Sequence, residues 1–262
     1  MCTIGVKVEC SIITRDLVVK NNNEVILDSI NLELTGNGVI QVIGPNGAGK
    51  TTLLKVILGL VRPHRGFVRV CGIDPFKAPH KTDKLIGYVP QEQVLPLDTP
   101  ITAWEFLEYT LSFKISKRKL PKIARKDSYI EELMHEVGLS RSHWYKSLGQ
   151  LSSGERQRVY IARALIGNPP ILLMDEPLSA VDPRGRHEIT NLIGNLSRRK
   201  MLIVTSHDPF FLIKYTRYVV ALNRRVVVQG PPKRVLKKEL LVEVYGEKPL
   251  SLVEYSHICD LH

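Results

Sequence analysis

The sequence predicts an α/β fold in which a mostly parallel sheet is covered by helices on both faces. An apolar run at 39–43 is followed by a glycine-rich loop and then by a helical pattern from 50 to about 58. In the last third of the chain, apolar runs at 171–174 and 201–205 alternate with a helical pattern around 187–196. Strands that alternate with helices form parallel sheets whose two faces are both covered.

Further strand patterns flank this core. Residues 17–19 and 25–34 precede the glycine-rich loop, separated by the polar turn at 21–23. Residues 218–222 and 226–228 follow the last helical pattern. Short apolar runs bounded by turn residues are typical of strands, so we expect strands at both ends of the core.

The middle third of the chain is predicted to be helical. Thr102 and Glu105 have the spacing of a capping box. Ser128 and Glu131 repeat that spacing ahead of an apolar stripe that Gly138 ends. Two capped helices in succession predict an inserted helical subdomain.

The composition is that of an ordinary globular protein, with 44% apolar and 24% charged residues. The longest apolar runs are far shorter than the roughly 20 residues that cross a bilayer, so no membrane span is expected. Lys7 and Glu9 stand where a secretory signal needs an apolar core, which predicts a cytoplasmic protein. The cysteines lack a C-x-x-C pair, which predicts neither a disulfide framework nor a structural zinc site. They are Cys2, Cys10, Cys71 and Cys259.

The net charge of +11 suits a polyanionic partner, either nucleic acid or anionic lipid. No aromatic residue lies between Lys114 and Lys126, so base stacking has no support there and nucleic acid is not favoured. This basic run is interpreted either as a solvated face or as a contact with an anionic membrane. It comprises Lys114, Lys117, Arg118, Lys119, Lys122, Arg125 and Lys126.

The strongest signal is a match to the phosphate-binding loop pattern G-x-x-x-x-G-K-[ST]. Its glycines permit a tight curl that directs backbone N–H groups at phosphate oxygens, and the following helix adds its positive end. Lys50 is expected to hold the β- and γ-phosphates, Thr51 to bind Mg²⁺, and Thr52 to assist at the α-phosphate. The predicted nucleotide-binding residues of this phosphate loop are Gly44, Pro45, Asn46, Gly47, Ala48, Gly49, Lys50, Thr51 and Thr52.

Two carboxylates follow the apolar run at 171–174. Ligands of open α/β sheets bind at the carboxyl ends of the strands, where Asp175 and Glu176 are expected to lie. Asp175 is suited to coordinate Mg²⁺, and Glu176 is suited to act as the catalytic base that polarises the attacking water.

A third motif, LSSGERQR, spans residues 151–158. Ser152 and Glu155 have capping-box spacing, which explains them as the start of a helix. Gly154 is unexplained by that interpretation, because glycine destabilises the first turn unless something approaches the backbone closely. A helix start with Ser152, Ser153 and Gly154 exposed is also an anion site that suits a γ-phosphate.

With these motifs in this order, the chain resembles the ATP-binding subunits of ATP-binding-cassette (ABC) transporters from end to end. The resemblance also rests on Gln91, Asp182 and His207, which fall in the family's order. It implies a P-loop NTPase with a RecA-like core, an antiparallel β subdomain and a helical subdomain at roughly 91–166. Residues 1–262 are then a single ABC ATPase domain, with a short C-terminal tail from about 247.

The family's roles are implied for the matching residues. Gln91 would contact Mg²⁺ and link the site to the helical subdomain, where a permease's cytoplasmic helices are met. Asp182 would lie at a dimer seam, and His207 would contact the γ-phosphate as a catalytic residue. Two subunits would bind ATP head to tail, so that residues 152–155 of one face the phosphate loop of the other.

The sequence departs from the family pattern at two places. The family's signature usually reads LSGGQ, whereas Ser153 and Glu155 replace its first glycine and its glutamine here. The family also places an aromatic residue for adenine near Lys20 or Asn21, yet no Phe, Tyr or Trp precedes Phe67. Recognition of the base is therefore expected to be loose.

The resemblance implies ATP and Mg²⁺ as cofactors and integral membrane permease subunits as partners. The subunit would lie on the cytoplasmic face of the membrane, as a homodimer or paired with a second ATPase subunit. Residues 230–246 are similar to the closing segment of subunits that power import of metal ions or metal chelates. The alternatives are an exporter subunit and a soluble single-cassette ATPase of an assembly or repair complex. The tail residues His257, Cys259, Asp260 and His262 are interpreted either as metal ligands or as a disordered terminus.

Overall fold

The computed structural model describes residues 10–22, 24–91, 99–114 and 126–246. Within these ranges the strands form two sheets, one in the order β2-β1-β4 and one in the order β5-β6-β7-β3-β8-β9. The strands are β1 Ser11–Asn21, β2 Glu24–Thr35, β3 Gly38–Ile43, β4 Arg65–Val70, β5 Ile86–Val89, β6 Ile171–Asp175, β7 Met201–Ser206, β8 Thr216–Asn223 and β9 Arg225–Gly230.

The larger sheet is parallel except for the β8–β9 pair, which confirms the predicted α/β fold. Its central strands are apolar and buried, as expected when both faces of a sheet are covered. The helices are α1 Lys50–Ile57, α2 Pro79–Thr82, α3 Ala103–Lys114, α4 Lys126–Glu136, α5 Ser153–Leu165, α6 Pro183–Ser197, α7 Pro232–Val235 and α8 Lys238–Tyr245.

The smaller sheet is antiparallel, because β1 pairs with β2 on one side and with β4 on the other. Its inner face shares one apolar cluster with α1 and with β3 of the larger sheet. The predicted antiparallel β subdomain is therefore present, and it lies against the strand and helix that flank the phosphate loop.

The cysteine prediction is wrong in one respect, since Cys10 and Cys71 form a disulfide. Their Cα atoms lie 4.7 Å apart although 61 residues separate them in the chain. The antiparallel pairing of β1 with β4 causes this proximity, because the Cys71 N–H donates to the Ser11 carbonyl beside the Ile12–Val70 pair. Cysteine spacing does not reveal strand register, so the bond could not be predicted from the sequence.

The middle of the chain is helical, as predicted. Thr102 and Glu105 form the predicted capping box at the start of α3. The second capping box is wrong, because α4 already begins at Lys126 and Ser128 lies inside it. Helices α3, α4 and α5 share an apolar cluster with α6, β6 and β7, so this helical layer is continuous with the core. The boundaries of a helical subdomain at 91 and 166 stay a prediction.

In the described part of the chain, no helix is both long enough and apolar enough to cross a membrane. No cluster of three or more metal-ligating His, Cys, Asp or Glu side chains occurs within those same ranges. The tail residues His257, Cys259, Asp260 and His262 and most of the basic run lie outside the described residues.

Candidate nucleotide-binding site

The phosphate loop joins the end of β3 to the start of α1 and needs glycine where the backbone curls. Gly44 has φ 153°, and a Cβ there would lie 2.0 Å from the carbonyl oxygen of Leu222 in β8. Gly49 has φ 94°, and a Cβ there would lie 2.5 Å from the Leu27 side chain. Both positions exclude larger residues, so the loop is held tightly between β8 and the smaller sheet.

Lys50 lies at the centre of the site with 6% of its surface exposed. Its ammonium donates to the carbonyl oxygens of Gly44 at 2.8 Å and Pro45 at 3.0 Å, and lies 3.6 Å from Glu176 Oε1. Burial lowers the pKa of Lys50, and the nearby carboxylates Glu176 and Asp175 oppose that shift. This cation is thus placed between the loop and the two predicted carboxylates. Thr51 and Thr52 are half-buried in the first turn of α1.

Asp175 ends β6 and is 1% exposed. Its Oδ1 accepts a hydrogen bond from Thr205 Oγ1 at 2.5 Å, whereas its Oδ2 is buried and has no hydrogen-bond partner among the described residues. A buried carboxylate oxygen with no donor is costly. A divalent cation would satisfy it, since carboxylate and hydroxyl oxygens are ligands that Mg²⁺ prefers.

Glu176 gathers three of the predicted site residues around its carboxylate. Oε2 accepts from Gln91 Nε2 at 3.3 Å and lies 3.5 Å from His207 Nδ1, and Oε1 faces Lys50. The side chain is 11% exposed. Its backbone has φ 45°, a left-handed conformation that non-glycine residues rarely adopt outside constrained sites. The fold therefore holds this carboxylate in one place at the end of the strand.

Thr205 is a site residue that the sequence analysis missed. Its hydroxyl donates to Asp175 Oδ1 and accepts from the Glu176 N–H at 2.8 Å. One β7 side chain thus holds the Asp175 carboxylate and the Glu176 backbone, because Asp175 and Thr205 are paired in the β6–β7 register. The only sequence signal is a polar residue at the end of an otherwise apolar strand.

The motif at 152–155 starts α5 as predicted. Ser152 Oγ accepts from the Glu155 N–H at 3.2 Å, and Glu155 Oε2 accepts from the Ser152 N–H at 2.8 Å. Partial burial acts to raise the pKa of Glu155, but the Ser152 hydrogen bonds and the charge of His143 bring it below its usual value. Glu155 therefore completes the helix cap. The helix start is thus kept although the family's signature has glutamine at this position.

Gly154 is buried rather than exposed, which corrects the prediction of three exposed residues. A Cβ at Gly154 would lie 3.4 Å from the Cα of Gly185 in α6 and 3.7 Å from the Val181 side chain. These are ordinary van der Waals distances, so α5 and α6 pack against each other here but the packing does not by itself require glycine. Ser152 is exposed and Ser153 is half-buried at the same helix start.

Asp182 caps α6 beside this contact. It accepts from the Gly185 N–H at 2.9 Å and from the hydroxyl of Ser153. The hydrogen bond from Gly185 contributes most to lowering the pKa of Asp182, and Ser153 adds to the effect. Among the described residues, no hydrogen bond or ion pair joins residues 152–155 or Asp182 to the phosphate loop or to Glu176. The structure therefore brings the predicted residues together as two separate groups.

A phosphate loop between a strand and a helix, with two carboxylates at the end of a neighbouring parallel strand, defines a P-loop ATPase. Residues 27–179 match the family described as ABC transporter. The chain belongs to the ABC transporter family and is an ATP-binding ATPase of that family.

Curated relatives extend the likeness over most of the chain. The Zinc import ATP-binding protein ZnuC of Buchnera aphidicola is 35% identical over 238 residues, with 90% of each chain covered. The protein of the same name from Pseudomonas entomophila is 36% identical over 239 residues, covering 90% of this chain and 84% of that protein.

Solved structures agree on the fold. The dimeric structure of MJ0796, a bacterial ABC transporter cassette, is 28% identical with a TM-score of 0.68, covering 84% of this chain and 98% of that chain. The structure of cbiO1 from Clostridium perfringens, part of the ABC transporter complex cbiONQ, has a TM-score of 0.73 at 23% identity and covers 95% of this chain and 98% of that chain.

Proposed function

We propose that this chain hydrolyses ATP to power the import of zinc through a membrane permease. The observation that carries hydrolysis is the placement of Glu176 within 3.6 Å of Lys50, Gln91 and His207 at the end of β6. The observation that favours zinc is the likeness to two proteins named for zinc import over 90% of the chain.

In the proposed reaction the loop N–H groups and Lys50 bind the phosphates of ATP. Glu176 accepts a proton from a water whose oxygen attacks the γ-phosphorus, and the bond to the ADP oxygen breaks. His207 contacts the γ-phosphate beside Glu176. Mg²⁺ would be held by Thr51, Gln91 and Asp175, and when bound it neutralises charge on the phosphates. The unpartnered Oδ2 of Asp175 supports that assignment.

The second group of residues supports a head-to-tail dimer. Ser152, Ser153, Gly154, Glu155 and Asp182 are proposed to complete the site of a partner subunit, because they do not reach the phosphate loop of their own chain. Ser152 is exposed at the start of α5, where its hydroxyl and the positive end of the helix suit a γ-phosphate. Whether the partner is a second copy or a different ATPase subunit decides between a homodimer and a heterodimer.

The contact with the permease is proposed to lie on α3, in the segment after Gln91. Tyr109 and Phe113 stand one helical turn apart there, with 57% and 89% of their surfaces exposed. Exposed aromatic residues on one face of a helix are typical of a protein interface. This contact would hold the subunit on the cytoplasmic face of the membrane, where the basic run is proposed to meet anionic lipid.

Zinc uptake by cells that lack their own zinc importer tests the function. Cells that express this chain with its permease should take up zinc and grow with a metal chelator, and cells with Glu176→Gln should do neither. Uptake of another metal but not zinc would correct the cargo. Loss of zinc from loaded cells would favour the exporter, and the absence of any permease that co-purifies would favour the assembly or repair ATPase.

A further inference from the structure

The last described helix, α8, lies directly behind the phosphate loop. Leu241 and Val244 of α8 are buried in an apolar cluster with Ile43, the residue that precedes Gly44. Asn223 at the end of β8 donates from Nδ2 to the Val244 carbonyl oxygen at 3.3 Å. Helix α8 is therefore fixed to both strands that support the loop.

Tyr245 is the final residue of α8, and its hydroxyl lies between two loops of the site. It donates to the backbone carbonyl oxygen of His207 at 3.4 Å and lies near the backbone N–H of Gly44. Burial raises the pKa of Tyr245, and the charges of Asp208 and Glu176 add to the rise against the opposing effect of the Gly44 N–H. The hydroxyl thus keeps its proton and remains a donor at neutral pH.

The Tyr245 contact falls on the turn that carries His207. The His207 side chain is 59% exposed, so packing does not fix it, and its Nδ1 lies 3.5 Å from Glu176. Within the loop, Ser206 Oγ donates to the Asp208 carbonyl oxygen and accepts from the Asp208 N–H. These bonds shape the turn. Gln41 Nε2 of β3 donates to the Pro209 carbonyl oxygen at 2.9 Å, and the Tyr245 hydroxyl adds a contact at His207 itself.

We propose that Tyr245 is a positioning residue for ATP hydrolysis, whose hydroxyl holds the His207 backbone against α8 behind the phosphate loop. The inference rests on the proposed contact of His207 with the γ-phosphate. Packing alone does not need the hydroxyl, because Leu241 and Val244 supply the apolar contact of α8. A hydroxyl on the helix packed behind the phosphate loop, donating to the His207 carbonyl, is suited to set the position of that turn.

Tyr245→Phe in the full chain removes only this hydroxyl. We expect kcat for ATP to fall about three- to tenfold, the effect of one lost hydrogen bond. The KM for ATP should change less than about twofold, since the phosphate loop keeps its own contacts, and the melting temperature should stay within a few degrees. Tyr215→Phe is the matched control, because its hydroxyl donates to Asn191 Oδ1 at 2.9 Å, outside the site. The control should keep the wild-type kcat.

A double-mutant cycle with His207→Ala distinguishes positioning from packing. If Tyr245 acts through His207, adding Tyr245→Phe to His207→Ala should cause no further loss of kcat. If the two substitutions each lower kcat and their effects multiply in the double variant, the inference is overturned. It is also overturned if Tyr245→Phe keeps the wild-type kcat while Tyr245→Leu loses activity, because the residue would then act through packing. A fully active His207→Ala would instead remove the proposed role of His207 and with it the basis of this inference.

Discussion

Replacing Glu176 with Gln tests the proposed base with little change of shape. Glutamine retains an oxygen that can accept from Gln91 and the backbone N–H that donates to Thr205. It also tolerates the backbone conformation of φ 45° no worse than glutamate does. We therefore expect the variant to fold with an unchanged melting temperature, so that any loss of turnover reports chemistry.

The magnitude follows from what the amide lacks. A positioned general base contributes about 100- to 10,000-fold to a rate, and an amide cannot accept the proton of the attacking water. The substitution also removes a negative charge 3.6 Å from the Lys50 ammonium, where phosphate oxygens must bind. ATP affinity should therefore stay equal or rise while kcat falls at least about a hundredfold. Subunits loaded with ATP should then persist as a dimer.

Phosphate release measures turnover, and light scattering after gel filtration with ATP measures the dimer. Glu33→Gln is the matched control, since Glu33 is exposed and pairs with Arg15 in the smaller sheet, away from the site. The control should hydrolyse ATP at the wild-type rate. Turnover by Glu176→Gln above about a tenth of wild type would be too large for a lost general base, and the assignment would be withdrawn.

Three further predictions concern the partner subunit, the base and the membrane. Mixing Lys50→Ala with Ser152→Arg subunits should partly restore hydrolysis, because a head-to-tail dimer then has one site with neither lesion; no recovery in proven mixed dimers would contradict that arrangement. GTP and CTP should be hydrolysed within about tenfold of ATP, and Asn21→Tyr should tighten ATP binding by about 1–3 kcal/mol of stacking, measured by calorimetry. A preference for ATP above about a hundredfold would mean that another group recognises the base. The first residue to replace would then be His64, because its Nδ1 accepts a hydrogen bond from the Lys20 N–H. Reversing charges in the basic run should weaken binding to anionic vesicles in sedimentation and leave hydrolysis intact, since each cation gains about 1 kcal/mol there; unchanged binding would make the run a solvated face.

The parts of the fold that the sequence predicted are those governed by local rules. The strand, loop and helix around Gly44 and Lys50 follow from an apolar run and from the glycine spacing that a phosphate-binding loop requires. Asp175 and Glu176 are predicted for the same reason, because an apolar strand that ends in two carboxylates leaves them at the ligand-binding edge. The capping boxes at Thr102 and Ser152 likewise need only a spacing of three residues.

The parts that the sequence could not predict depend on contacts between distant segments. The Cys10–Cys71 disulfide results from the register of β1 with β4, and the role of Thr205 results from the register of β6 with β7. Gly154 was interpreted as exposed at the helix start, but it is buried against Gly185 of the same chain. Single residues carry no information on register or helix crossing, so such roles appear only when the chain is folded.

The contacts of α5 link the proposed ATP site to the proposed permease contact. Its first turn carries Gly154, whose backbone packs against Gly185 of α6, so the start of α5 and the start of α6 are in contact within one subunit. Its middle carries Tyr160, whose ring meets Phe106 of α3 edge to face at 5.7 Å. Because α3, α5 and α6 share one close-packed cluster, a shift of the α5 start toward a partner's nucleotide should displace α3 as well. Phe113 lies on that same α3, two turns beyond Phe106, so closure of the dimer would move the surface where the permease is proposed to bind.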